Sequence, residues 1–191
     1  MKKKILWAKR NSVPFRSNLK IFQNKLIAAT QNNGLYFFNK TTGDIIRYIP
    51  TEETIFKNDF KNNLSLNEKY TYFLNTYGSL YAIENKSMRI KWFLNLNQSF
   101  DLNPSNLFRG NILINHKNNI ILSSNQFTYI IDTDNGQIKH KKNFSSLIKP
   151  LVIENYLFLI TKNNLLIATD LNDGKIIYSY DINQKVADFI G

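Results

Sequence analysis

The sequence predicts an all-β protein of about four β-propeller blades, each a four-stranded antiparallel sheet. Three observations point there: a repeat with a period of about 40 residues, short apolar stretches of strand length, and glycine turns that fall in register between the repeats.

The repeat reads KLIAATQNNGLYFFNKTTGDIIRYI from Lys25, KYTYFLNTYGSLYAIENKSMRIKWFL from Lys69, NIILSSNQFTYIIDTDNGQIKHKKN from Asn119 and YLFLITKNNLLIATDLNDGKIIYSY from Tyr156. Each copy has two apolar stretches joined by a polar turn, then a second turn and a third apolar stretch. Aligning Phe38, Ile83, Ile131 and Thr169 places Gly43, Met88, Gly136 and Gly174 at one turn position. Thr42, Asn135 and Asp173 precede the three glycines. Asn-Gly and Asp-Gly are strong hairpin signals because glycine takes positive φ without steric cost. The second copy has Ser87-Met88 there, which predicts a different turn type or a bulge.

The first blade is expected over 17–50, opening with Leu19–Phe22, and the second over 58–95, opening with Leu64–Leu66. The third spans 107–143 and opens with Asn111–Asn115. The fourth spans 148–182, with strands Leu151–Ile153, Tyr156–Thr161, Leu165–Asp170 and Lys175–Tyr180. Stretches rich in Ile, Leu, Tyr and Phe favour strands. The asparagine content of FKNDFKNNLSLNEKYTYFL argues against a long helix, because Asn competes for backbone hydrogen bonds and favours turns. The connections 51–63 and 95–110 are expected as loops between blades, with room for a short helical turn. Residues 1–10 read as the last strand of a preceding blade and 184–191 as the start of a following one. The chain 1–191 is thus expected to be one partial propeller, a fragment of a seven- or eight-bladed ring that self-associates through exposed blade edges.

Composition narrows the function classes. Lys and Arg number 25 against 14 Asp and Glu, a net charge of +11. A basic balance raises nucleic acid as a partner, yet arginine is scarce and the lysines are spread along the chain. Abundant Asn, Ile, Phe and Lys is the mixture that codon bias in an AT-rich genome produces. Basic-surface nucleic-acid binding therefore stands as the weaker alternative, and no nucleic acid is expected. Cysteine is absent, which excludes disulfides, thiolate metal sites and cysteine nucleophiles on this chain. No apolar run reaches the roughly 18 residues of a membrane span. The opening MKKKILWAKRNS lacks the apolar core of a signal peptide.

Chemical motifs are sparse. His116 and His140 are the only histidines, too few for a zinc cluster. Asp132, Asp134, Asp170 and Asp173 sit at strand ends and turns, where side-chain to backbone hydrogen bonds account for them. The stretch DTDNG lacks the closing glutamate of a calcium loop. Tyr36, Phe37, Phe38, Tyr70, Tyr72, Phe73 and Tyr81 fit strands buried on both faces. No catalytic, cofactor-binding or metal residue is assigned.

The segments Leu35–Arg47, Leu80–Trp92, Thr128–His140 and Leu166–Tyr178 resemble the pyrroloquinoline-quinone (PQQ) propeller repeat, with its Thr-Gly-Lys or Thr-Gly-Asp turn and a tryptophan four residues after the glycine. Trp92 fills that position, and Trp7 fills it at the chain's start; Arg47, His140 and Tyr178 depart from it. The resemblance marks Gly43, Gly136, Gly174, Trp7 and Trp92 as the structural residues of the blades. It implies one of two functions. BamB-like members are cofactor-free docking scaffolds of the outer-membrane β-barrel assembly machinery, which would place a full-length parent in the periplasm or at the outer membrane with a protein partner. Quinoprotein dehydrogenases instead hold PQQ and calcium, and share a Cys-Cys pair that this chain lacks. The scaffold, without cofactor or catalysis, is the expected function, with a dehydrogenase segment as the alternative.

Overall fold

The computed structural model describes residues 5–52, 61–97, 112–124, 126–146 and 148–184. Among the described residues sixteen strands form four sheets, each a meander of four antiparallel strands in sequence order. The first sheet is β1 (Lys20–Phe22), β2 (Lys25–Ala29), β3 (Leu35–Asn39) and β4 (Ile45–Ile49). The second is β5 (Asn63–Leu66), β6 (Tyr70–Leu74), β7 (Ser79–Glu84) and β8 (Ile90–Asn95). The third is β9 (Ile112–His116), β10 (Asn119–Ser123), β11 (Thr128–Asp132) and β12 (Ile138–Lys142). The fourth is β13 (Leu151–Ile153), β14 (Tyr156–Ile160), β15 (Leu165–Asp170) and β16 (Ile176–Asp181). The expected strands lie within a residue or two of these. Most of the two long connections lies outside the described residues, as does 185–191 of the proposed following blade.

The chain divides into two compact units, Met1–Arg109 with the first two blades and Gly110–Gly191 with the last two. In the first unit Ile27, Leu35, Phe37 and Ile49 of one blade share a core with Leu64, Phe73, Tyr81 and Ile83 of the next. Both faces of β6 are buried along its whole length, which is why its sequence YTYFL is continuously bulky rather than alternating. In the second unit Ile121 and Ile130 pack with Leu157, Leu159, Ile167 and Leu171.

The turn between the third and fourth strands is the same in every blade. The strand-ending residue accepts a hydrogen bond from the N–H four residues on: Asn39 from Gly43, Glu84 from Met88, Asp132 from Gly136 and Asp170 from Gly174. That fourth residue takes a left-handed φ of 74°, 55°, 75° and 71° in turn. A register shift follows in each sheet, the pattern of a turn closed by a left-handed bulge residue. Asn39 and Asp132 reinforce their turns by accepting two backbone N–H bonds each. The second blade thus carries the bulge that its Ser87-Met88 sequence left open, with Met88 in the glycine conformation.

Candidate docking surface

Two of the blade-marking residues, Trp7 and Gly43, lie against each other. Trp7 lies across Gly43; a methyl group on that glycine would stand 2.6 Å from two indole carbons. Trp7 Nε1 also donates to the Lys40 carbonyl at 2.9 Å, and its ring sits 6.5 Å from that of Phe38. Residues 5–10 form no strand ladder. His140 repeats the arrangement in the second unit: it covers Gly174, whose added methyl would lie 2.7 Å from the imidazole, and its Nε2 is 3.2 Å from the Asn172 carbonyl. For His140 the ring comes from the tryptophan position, on the fourth strand of one blade, and the glycine from the turn of the next. Arg47 fills that position in the first blade and is exposed; the turn of the following blade carries Met88, which packs against the shared core. Glycine is thus demanded twice over where a ring covers the turn, and only by φ where none does. Trp92 packs within its own sheet, opposite Ala82 and 6.1 Å from the Tyr72 ring. Gly136 is buried.

Several couplings between blades were not legible in the sequence. Asn18 places both halves of its amide on β5, donating to the Leu64 carbonyl and accepting the Leu64 N–H, each at 2.8 Å. Buried Asn33, at φ 73°, accepts from the Thr76 N–H and hydroxyl of the next blade and donates to the Glu52 carbonyl. Glu52 in turn accepts from Asn75 at 2.9 Å. Burial, reinforced by the Glu52 charge, pushes the Tyr81 phenol up to about 12. Between the last two blades lies a polar groove of about 400 Å³, where Lys117 Nζ donates to Asn155.

Among the described residues the fourth strand of each blade is the edge of its sheet, and its exposed side chains fall on both strand faces. Ile45 and Ile46 on β4, Ile90 and Phe93 on β8, Ile138 on β12, and Ile176, Ile177 and Tyr180 on β16 are all exposed, Ile45 and Phe93 to 59% each. The turn carboxylates are held in local bonds. Burial alone would raise Asp132, but bonds from Lys139 and the turn amides outweigh it and lower its pKa. Hydrogen bonds from Lys9 and Thr42 lower Asp44. Among the described residues no group of three or more His, Asp or Glu could hold a metal ion. Among the same residues no helix is long and apolar enough to cross a membrane.

Solved structures with the same fold include BamB from Moraxella catarrhalis (TM-score 0.68, 12% identity), matching over 92% of this chain and 56% of that one. The computationally designed Ika4 protein matches at TM-score 0.63 and 12% identity over 95% of this chain and 99% of that one. Quinohemoprotein alcohol dehydrogenase from Comamonas testosteroni matches at TM-score 0.67 and 10% identity, over 89% and 35%. The chain spans about half the length of the BamB structure. A sequence search of curated proteins found no match. The model of one family, described as outer membrane protein assembly factor BamB, matches residues 2–180; with four four-stranded blades and turn residues in register, the chain belongs to that family.

Proposed function

We propose that this chain is a non-catalytic docking scaffold of the outer-membrane β-barrel assembly type, acting in the periplasm or at the outer membrane. The family match over residues 2–180 carries the reading. The geometry supports it: the turn carboxylates are engaged in turn bonds, while the fourth strands carry exposed apolar side chains. Blades are rigid because each buries its middle strands against a neighbour. A rigid support with variable rims and edges suits recognition of another protein. The structural likeness to the quinohemoprotein alcohol dehydrogenase supplies the competing reading.

Two assays on the full-length protein separate them. Affinity capture from a Gram-negative envelope extract is expected to recover a barrel-assembly component. Addition of PQQ and calcium is expected to give no dye-linked alcohol oxidation. Oxidation above the level of the chain without PQQ, together with no barrel-assembly component recovered, would overturn the scaffold.

A further inference from the structure

Dividing the sequence at the boundary between the two units shows that its positive charge is not spread evenly. Residues 1–109 hold 17 of the 25 Lys and Arg but only 7 of the 14 Asp and Glu. All five arginines, Arg10, Arg16, Arg47, Arg89 and Arg109, fall there. Residues 110–191 hold 8 basic and 7 acidic groups and are nearly neutral. Codon bias acts on the whole chain and does not account for this segregation.

The two units also differ in how the cations of their fourth strands are used. In the second unit Lys139 pairs with Asp132 at 3.0 Å, and Lys141 lies 4.0 Å from the Phe127 ring centre and 5.7 Å from that of Tyr129. Those charges are spent inside their own blade. In the first unit Arg47 on β4, and Arg89 and Lys91 at β8, are exposed. Among the described residues none of the three has an ion-pair partner, since Asp44 is held by Lys9 and Glu84 accepts from Ser87. Exposed Ile45, Ile46, Ile90 and Phe93 stand among them in sequence. Unpaired guanidinium and ammonium groups interleaved with exposed apolar side chains, Phe93 among them with its ring stacked on Tyr81, match a surface that is acidic and apolar by turns.

We infer that the fourth strands of the first two blades, β4 and β8, form the docking surface of the scaffold and receive an acidic protein segment. Its carboxylates meet Arg47, Arg89 and Lys91, and its apolar side chains cover Ile45, which shares a strand face with Arg47, and Phe93, which shares one with Lys91. This rests on the scaffold reading and names the chemistry of the partner. Arginine suits the role because its planar fork accepts a carboxylate with two parallel bonds. Charge complementarity of this kind sets orientation and association rate, while the apolar groups add contact area.

The test uses the full chain and a fluorescein-labelled peptide alternating Glu with Leu. Its comparators are the Gln and Leu counterpart, phosphatidylglycerol vesicles and a single-stranded oligonucleotide. The acidic peptide is expected to bind best and to weaken as salt rises toward molar strength. The combined variant Arg47→Glu, Arg89→Glu and Lys91→Glu should weaken it by about tenfold, from three exposed charge pairs lost, with circular dichroism unchanged because all three positions are exposed. Lys141→Glu should leave binding as it is. Unchanged affinity in the combined variant, equal binding of the Gln and Leu peptide, or tighter binding of vesicles or oligonucleotide would each overturn the inference. Capture of a barrel-assembly component by the combined variant would remove this surface while leaving the scaffold; no capture by the parent chain would remove the scaffold instead.

Discussion

Trp7 and Gly43 form a coupled pair, and a double-mutant cycle reads that coupling. Gly43→Ala places a methyl at φ 74°, which costs about 1–2 kcal/mol for an L-residue. The same methyl would lie 2.6 Å from the indole of Trp7, so the ring must lift off. Lifting it breaks the bond to the Lys40 carbonyl, worth about 1 kcal/mol, and exposes part of the indole face at a similar further cost. The single variant should therefore lose about 3–4 kcal/mol in all. With Trp7→Ala already present there is no ring to displace, and Gly43→Ala should lose only the backbone part, about 1–2 kcal/mol. The interaction energy of the cycle is then about 2 kcal/mol, well above the additivity error of about 0.3–0.5 kcal/mol. Urea unfolding followed by circular dichroism measures it. Equal losses in the two backgrounds would refute the claim that the glycine is kept for the ring.

Asn18→Ala leaves the Leu64 N–H and C=O without their partner, so a loss of about 1–3 kcal/mol is expected, with faster hydrogen exchange at the Leu64 amide; unchanged exchange there would contradict the assignment. Asp132 has a lowered pKa, so its stabilising contribution is present above the ordinary carboxylate value of 3.8 and lost as pH falls through the lower folded value. Asp132→Asn should flatten the stability profile in that acid range and leave its alkaline side unchanged. Tyr81 runs the other way: its contribution holds below the ordinary value of 10.0 and is lost as pH rises toward about 12. Tyr81→Phe should remove that alkaline loss, read by ultraviolet absorbance and thermal melts across the range.

Much of the architecture was legible because it rests on local signals. Leu165–Asp170 and Leu151–Ile153 were bounded correctly from apolar content and flanking turn residues, since strand length and turn chemistry are written within a few residues. For the second blade's turn the sequence leaves a different turn type and a bulge both open, and the structure shows the bulge: the bonds around it, from Met88 to Glu84 and from Glu84 to Arg89, and the surrounding sheet impose positive φ on a residue that disfavours it. The register places Trp7 and Gly43 at repeat positions, but only three-dimensional packing shows that they touch. Asn18 and Asn33 gave no signal, since asparagine reads as a turn former and their partners lie 46 and 43 residues away. The charge segregation is present in the sequence yet carries no meaning until the boundary after Arg109 is drawn.

The docking account is tested most directly by site-specific photo-crosslinking in cells, with the photoreactive residue at position 93 on β8 or at position 180 on β16. Crosslinks to a barrel-assembly protein from position 93, absent from position 180 and lost when Arg47, Arg89 and Lys91 are reversed to glutamate, are the predicted result. Crosslinks to that protein from position 180 alone, or equal crosslinking with the charges reversed, would contradict it.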